Sequence, residues 1–134
     1  AGLDLAPCFY RKALYQKAPL MPEGYMERKL GKGPSVCKEE PFTILLAHSP
    51  LYFDSYVRWG ADLTLAGHFH GGTIRIPGLG GVMTPQYQFF LPWCAGDFER
   101  NGKRMIVSRG LGTHSINIRL NNRPQLVLIR LRRA

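Results

Sequence analysis

Two continuous apolar runs, Phe42-Thr43-Ile44-Leu45-Leu46-Ala47 and Leu63-Thr64-Leu65-Ala66, stand out from an otherwise mixed pattern. Short apolar runs closed off by turn residues read as buried strands, and Pro41 and Pro50 close off the first. Ser49-Pro50 suits a helix entry, with serine as cap and proline in the first turn. Leu51, Tyr52, Tyr56 and Val57 follow at roughly helical spacing, and Gly60 is the stop. Strand, helix and strand in this order form a crossover unit, which implies neighbouring parallel strands. Ligands collect beyond the carboxyl ends of the strands in such a sheet.

The flanks read less sharply. Residues 1 to 6 predict a short strand ending at Pro7, and Tyr25-Met26-Glu27-Arg28-Lys29-Leu30 predicts a helix stopped by Gly31. Lys32 to Pro41 is a linker turning at Gly33-Pro34. Thr73-Ile74-Arg75-Ile76 alternates as a strand. Pro77 to Pro92 reads as a long apolar loop with Met83, Tyr87, Phe89 and Phe90, either packed on the core or walling a substrate. Arg104 to Ser108, Ser115 to Leu120 and Gln125 to Leu131 predict strands, the last ones antiparallel because short turns join them. The fold class is thus α/β (α+β), a mixed sheet with antiparallel C-terminal strands. It is one domain, with residues 1–41 peripheral and residues 42–131 as the β-rich core.

Three of the four histidines follow the predicted strands: His48 after the first apolar run, and His68 and His70 after the second, in Gly67-His68-Phe69-His70-Gly71-Gly72. If residues 68–70 are extended, both rings leave one face, and the crossover brings His48 beside them. Three imidazoles serve a mononuclear zinc, a cupin-type metal or a binuclear phosphoesterase site, and residue type does not choose the metal. A cupin-like site wants a glutamate soon after its H-x-H, where this chain has Gly71, Gly72, Thr73 and Ile74. There is no G-x-S-x-G and no P-loop.

Composition narrows the setting. The 134 residues are 45% hydrophobic and 20% charged, which suits one globular core. No apolar run reaches a membrane-spanning length, and no targeting segment is visible. The opening Ala1-Gly2-Leu3-Asp4-Leu5 looks like a start inside a strand, so the expectation is a fragment or a processed product. Cys8, Cys37 and Cys94 are too few and too scattered for a disulfide framework; Cys94 reads as a small buried hydrophobe before it reads as a soft ligand. Eighteen Lys and Arg against nine Asp and Glu give +9, an excess that attracts anions. The competing class is therefore a basic, β-rich binding module for nucleic acid or an acidic membrane surface, its histidines incidental.

Leu46-Ala47-His48-Ser49-Pro50 and Gly67-His68-Phe69-His70-Gly71-Gly72 resemble, in order and spacing, the last two metal motifs of the calcineurin-like metallophosphoesterase family. Trp59-Gly60-Ala61-Asp62-Leu63 fits the approach to the second motif. Val107-Ser108-Arg109-Gly110-Leu111-Gly112-Thr113 resembles the stretch after it in a bacterial subgroup of phosphohydrolases. The likeness covers roughly residues 40 to 131. It implies the carboxyl-terminal part of a four-layer α/β/β/α sandwich. It also implies two divalent metal ions (Mn, Fe or Zn), with His48 and His68 on one and His70 on the other. The implied reaction is hydrolysis of a phosphomonoester or phosphodiester substrate by hydroxide held on the metals.

The chain departs from that family's pattern in lacking D-x-H, a bridging G-D aspartate and G-N-H-[DE]. Three imidazoles without a carboxylate are too few ligands for two dications, so the expectation is the carboxyl-terminal half of an enzyme, inactive alone. Half a sandwich leaves a sheet face uncovered, which predicts self-association. The resemblance carries no specific nucleic-acid partner. It suggests a full-length protein that is cytoplasmic or peripheral to the inner membrane, with membrane association open to it. Arg109 is read as a salt-bridge residue before a phosphate contact, and His114 as a turn residue.

Overall fold

The computed structural model describes residues 1–6, 20–34, 41–84, 89–113 and 118–132. Cys8, Cys37, His114 and the start of the predicted 115–120 strand lie outside them. In chain order the elements are β1 (Gly2–Leu3), α1 (Tyr25–Leu30), β2 (Ile44–Ala47), a 3-10 turn (Pro50–Tyr52) and α2 (Phe53–Trp59). They are followed by β3 (Leu63–Ala66), β4 (Ile74–Ile76), β5 (Gly80–Met83), β6 (Gly96–Arg100) and β7 (Lys103–Val107).

The main sheet has the order β1-β2-β3-β7-β6. β1, β2, β3 and β7 run parallel, and β6 closes the edge antiparallel to β7. The fold is therefore mixed α/β, with a mostly parallel sheet ending in an antiparallel pair. The predicted crossover is present: Ser49 caps the 3-10 turn by accepting from the Leu51 N–H, and α2 ends at left-handed Gly60. Register aligns Leu46 with Leu65, so the carboxyl ends of β2 and β3 open side by side.

Alternation then assigns the faces. Leu45, Thr64 and Met105 are register partners, each at most 1% exposed. On that side Tyr25, Met26, Tyr52, Tyr56 and Trp59 join Leu3, Leu45 and Ala47 in one core, while Phe53, Met105 and Val107 form a second cluster. Asp62 ties the strand entrances together: one carboxylate oxygen accepts the Thr43 N–H at 2.7 Å and the other faces Lys103 Nζ at 2.5 Å. On the opposite face Leu46 is 54% exposed.

Two expectations are corrected, and one strand, β6, lies where none was expected. The 77–92 loop contains β5, paired antiparallel with β4; its Gly80-Gly81 start hid the strand pattern. β6 has no apolar stripe because it is an edge strand, yet its turn is Asn101-Gly102 with both φ angles positive, the strongest hairpin signal a sequence offers. The predicted 125–131 strand belongs to no sheet. Its alternation is real, with Gln125, Val127 and Ile129 half-buried and Leu126 and Leu128 exposed. However, β3 and β7 already have a neighbour on each side, so neither offers it a ladder edge. The segment instead lines a cavity over the open sheet face with Leu65 and Ile106. Of the predicted 115–120 strand, the described part makes only a parallel bridge from Leu120 to Ile74.

Candidate metal centre

β2 ends at Ala47 and delivers His48; β3 ends at Ala66 and delivers Gly67 and His68. The Gly67 N–H donates to the His48 carbonyl at 3.3 Å, which ties the two exits together. There, His48 Nε2 and His68 Nδ1 come within 2.7 Å, with ring centroids 4.5 Å apart and planes tilted by 59°. Residues forty-eight and sixty-eight thus meet as strand adjacency requires.

Residues 68–70 are not extended, contrary to expectation. His68 and His70 have φ of 72° and 50°, and Gly71 and Gly72 continue at 75° and 87°. A left-handed conformation is unfavourable for a residue bearing a Cβ, by about 1–2 kcal/mol, and clusters of such residues occur where function fixes the backbone. The coil drives Phe69 into the interior, where it is 0% exposed, and sends the two imidazoles to different neighbours. His70 Nδ1 lies 3.0 Å from the Gly112 carbonyl oxygen. Among the described residues no three His, Cys, Asp or Glu side chains are grouped as a metal cage. His48 and His68 are therefore brought together, and His70 is held at the 109–112 turn.

Two residues that the sequence did not flag hold this loop. Asn122, 2% exposed, donates through Nδ2 to the carbonyls of His70 (2.6 Å) and Gly72. Its Oδ1 faces Gly71, where an added Cβ would come within 2.8 Å of it and 2.5 Å of Arg109 Cγ. Arg119 Nη2 reaches the carbonyls of Arg109 (3.1 Å), Gly110 (3.4 Å) and Gly112. The stretch Asn121-Asn122-Arg123-Pro124 reads as a turn, and no local pattern marks its asparagine as a clamp.

Electrostatics around the loop are cationic. Arg75 donates to the Gly71 carbonyl at 3.2 Å, and Arg109 Nε donates to Gln125 Oε1 at 3.1 Å, not to a carboxylate as expected. The ion pairs found among the described residues use Arg100, Lys103 and Arg104 instead. Cys94 is buried with its thiol donating to the Leu91 carbonyl at 3.3 Å. Burial pushes its pKa up to about 11, against a downward pull from Arg75, so it is a neutral thiol near pH 7. With Arg75, Phe90, Trp93 and Phe98 it lines a half-open cavity of about 400 Å³.

Comparison with known proteins finds two curated relatives. The chain is 31% identical over 91 residues to YkuE of Bacillus subtilis (strain 168), named an uncharacterized metallophosphoesterase; the match covers 68% of the chain and 31% of that protein. It is 28% identical over 88 residues to YkoQ of the same organism, named likewise, covering 66% of the chain and 33% of that protein. The chain thus spans about a third of the length of the curated relatives it matches. No family model matches it, and no solved structure matches it.

Proposed function

Taking the chain as a member of a metallophosphoesterase family, which its two curated relatives support, we propose that it carries the imidazole side of a binuclear, metal-dependent phosphoester hydrolase centre. The observation that carries this reading is the 2.7 Å approach of His48 Nε2 to His68 Nδ1. Two ring nitrogens at that distance share one proton, since one must donate what the other accepts. A divalent cation takes lone pairs from both in place of that proton, so the donor set fits. Imidazole pairs suit zinc, manganese and iron alike.

In this reading His48 and His68 hold one ion and His70 helps hold the second. When bound, the metals supply hydroxide near neutral pH and neutralise charge on the phosphoryl oxygens. The protein's own groups do the rest. β2 and β3 fix the two strand exits, buried Phe69 anchors the loop between the ligands, and the cationic surroundings favour an anionic phosphoester. The chain groups no carboxylate with these histidines as a three-ligand set among its described residues. It therefore completes a centre only with acidic ligands from elsewhere in a longer protein, and is inactive alone.

The test has two arms. Titration of this chain with Mn²⁺ and Zn²⁺ should show binding that His48→Ala and His68→Ala each remove. The protein with its upstream residues should hydrolyse an aryl phosphodiester, and His70→Ala should abolish turnover. A chain that binds neither ion, or a longer protein inert with every divalent metal tried, overturns the reading.

A further inference from the structure

We infer that Arg119 and Asn122 are positioning residues for the His70 imidazole: they lock the backbone on both sides of it and so dictate which ring nitrogen carries the proton. The inference rests on the reading of His70 as a ligand for its purpose, but not for its geometry.

The 3.0 Å contact from His70 Nδ1 goes to a backbone carbonyl, which can only accept, so Nδ1 carries the hydrogen. Arg119 Nη2 also lies 3.4 Å from Nδ1, but a protonated nitrogen cannot accept from it, and the shorter contact decides the tautomer. With Nδ1–H committed to Gly112, Nε2 holds the lone pair that a metal uses. The tautomer thus depends on where the Gly112 oxygen sits. Arg119 fixes that oxygen, because its Nη2 binds Gly112 together with the carbonyls of residues 109 and 110. A carbonyl gathered into that cluster cannot swing away from the ring.

Asn122 acts from the other side. One amide nitrogen spans the carbonyls of His70 and Gly72, bridging across Gly71 and holding the left-handed coil closed. Without that bridge, His70 at φ 50° is free to relax toward the ordinary region, which would swing its ring off Gly112.

Space-filling alone does not account for either residue. Among the described residues Arg119 Nε and Nη1, and Asn122 Oδ1, are buried without a hydrogen-bond partner, an unfavourable state for a polar group. A leucine or methionine would fill the same space without those unmet groups, but would take the donor away from the carbonyls of Arg109, Gly110, Gly112, His70 and Gly72. What only these side chains supply is three carbonyls gathered at one guanidinium nitrogen and two carbonyls spanned by one amide. Both constructions end at His70.

The experiment is nitrogen-15 long-range correlation spectroscopy of the His70 ring in the metal-free chain, above the pH at which the imidazole is neutral. Wild type should show the Nδ1–H form. Arg119→Ala and Asn122→Asp should shift His70 to a mixture or to Nε2–H, while Arg119→Lys, which keeps the charge but not the fork, should recover only part of the wild-type spectrum. Thermal melts of each variant report folding separately. In metal titrations, Mn²⁺ affinity should fall about 10–100-fold, the usual loss when a ligand's outer partner is removed. An unchanged His70 tautomer in folded Arg119→Ala and Asn122→Asp overturns the inference whether or not metal binds. Loss of metal binding by wild type, with the tautomer shift intact, removes the phosphoesterase reading and leaves the positioning established.

Discussion

The buried hydroxyl of Tyr56 donates to the carbonyl of Ser49 at 2.8 Å, so α2 grips the residue that follows His48. Tyr56 is 0% exposed, and its hydroxyl is the polar tip of an otherwise apolar anchor. Tyr56→Phe keeps the ring and removes this hydrogen bond. It should lower stability by about 0.5–1.5 kcal/mol in urea unfolding. It should also weaken metal binding at the His48–His68 pair beyond what an equally destabilising change in α1 does. Equal effects from both would mean that the grip has no bearing on the histidine.

Two left-handed glycines separate backbone conformation from crowding. Gly71 and Gly102 have similar φ angles, 75° and 71°, but an added Cβ meets Arg109 and Asn122 at the first and nothing within 4 Å at the second. Gly102→Ala should cost about 1–2 kcal/mol, the left-handed penalty alone. Gly71→Ala should cost at least about 2 kcal/mol more, as close contacts with packed neighbours usually do. Denaturant midpoints for the two variants give the comparison directly.

Asp62 gives the acid limb of stability a specific origin. Burial raises its pKa, but the Lys103 ammonium and the Thr43 N–H outweigh that and hold it below the usual carboxylate value of 3.8. The unfolded chain therefore takes up the proton first as pH falls. The stabilisation is whole above pH 3.8 and drains away as pH drops through the lower, folded value. Lys103→Met should raise the midpoint of acid unfolding and remove roughly 0.5–1 kcal/mol at neutral pH, the size expected for a pair still partly open to solvent. An acid limb identical to that of wild type would assign it to other carboxylates.

Leu126 and Leu128 are 83% and 86% exposed, and Leu46 on the open sheet face is 54% exposed. Apolar surface of that kind associates, and we propose that this chain does so with itself through that face. Sedimentation should show a concentration-dependent species heavier than 15.1 kDa. The double change Leu126→Ser with Leu128→Ser should reduce it without altering the melting temperature by more than a few degrees. Monomeric wild type across the concentration range would defeat the proposal.

The sequence revealed what periodicity and strand adjacency control. The two apolar runs and the Ser49–Gly60 crossover specified the parallel pair β2–β3, and adjacency of parallel strands then put His48 beside His68. It did not reveal what depends on tertiary neighbours. β6 carries Asp97, Glu99 and Arg100, a charged edge with no stripe to read. Residues 125–131 have a strand's alternation but lie over strands β3 and β7, which already have a neighbour on each side, and alternation alone cannot report that. The left-handed turn at His68 and His70 opposes ordinary residue preference and is stabilised by Asn122, over fifty positions away from the first of them. The clamp itself is an asparagine in a run of turn residues, a setting in which exposure is the ordinary outcome.

Phe69 lies between the two histidines with its ring fully buried, its N–H donating to the Gly67 carbonyl at 2.9 Å. A loop whose middle residue is sunk in the interior cannot peel open by itself, because lifting it exposes a whole aromatic ring to water. Its amide should therefore exchange with solvent as slowly as those of β3, on the scale of subglobal opening and not of surface fraying. An ion seated on these imidazoles would then leave at a rate set by breathing of the core, so that retention of metal becomes a kinetic property of the fold.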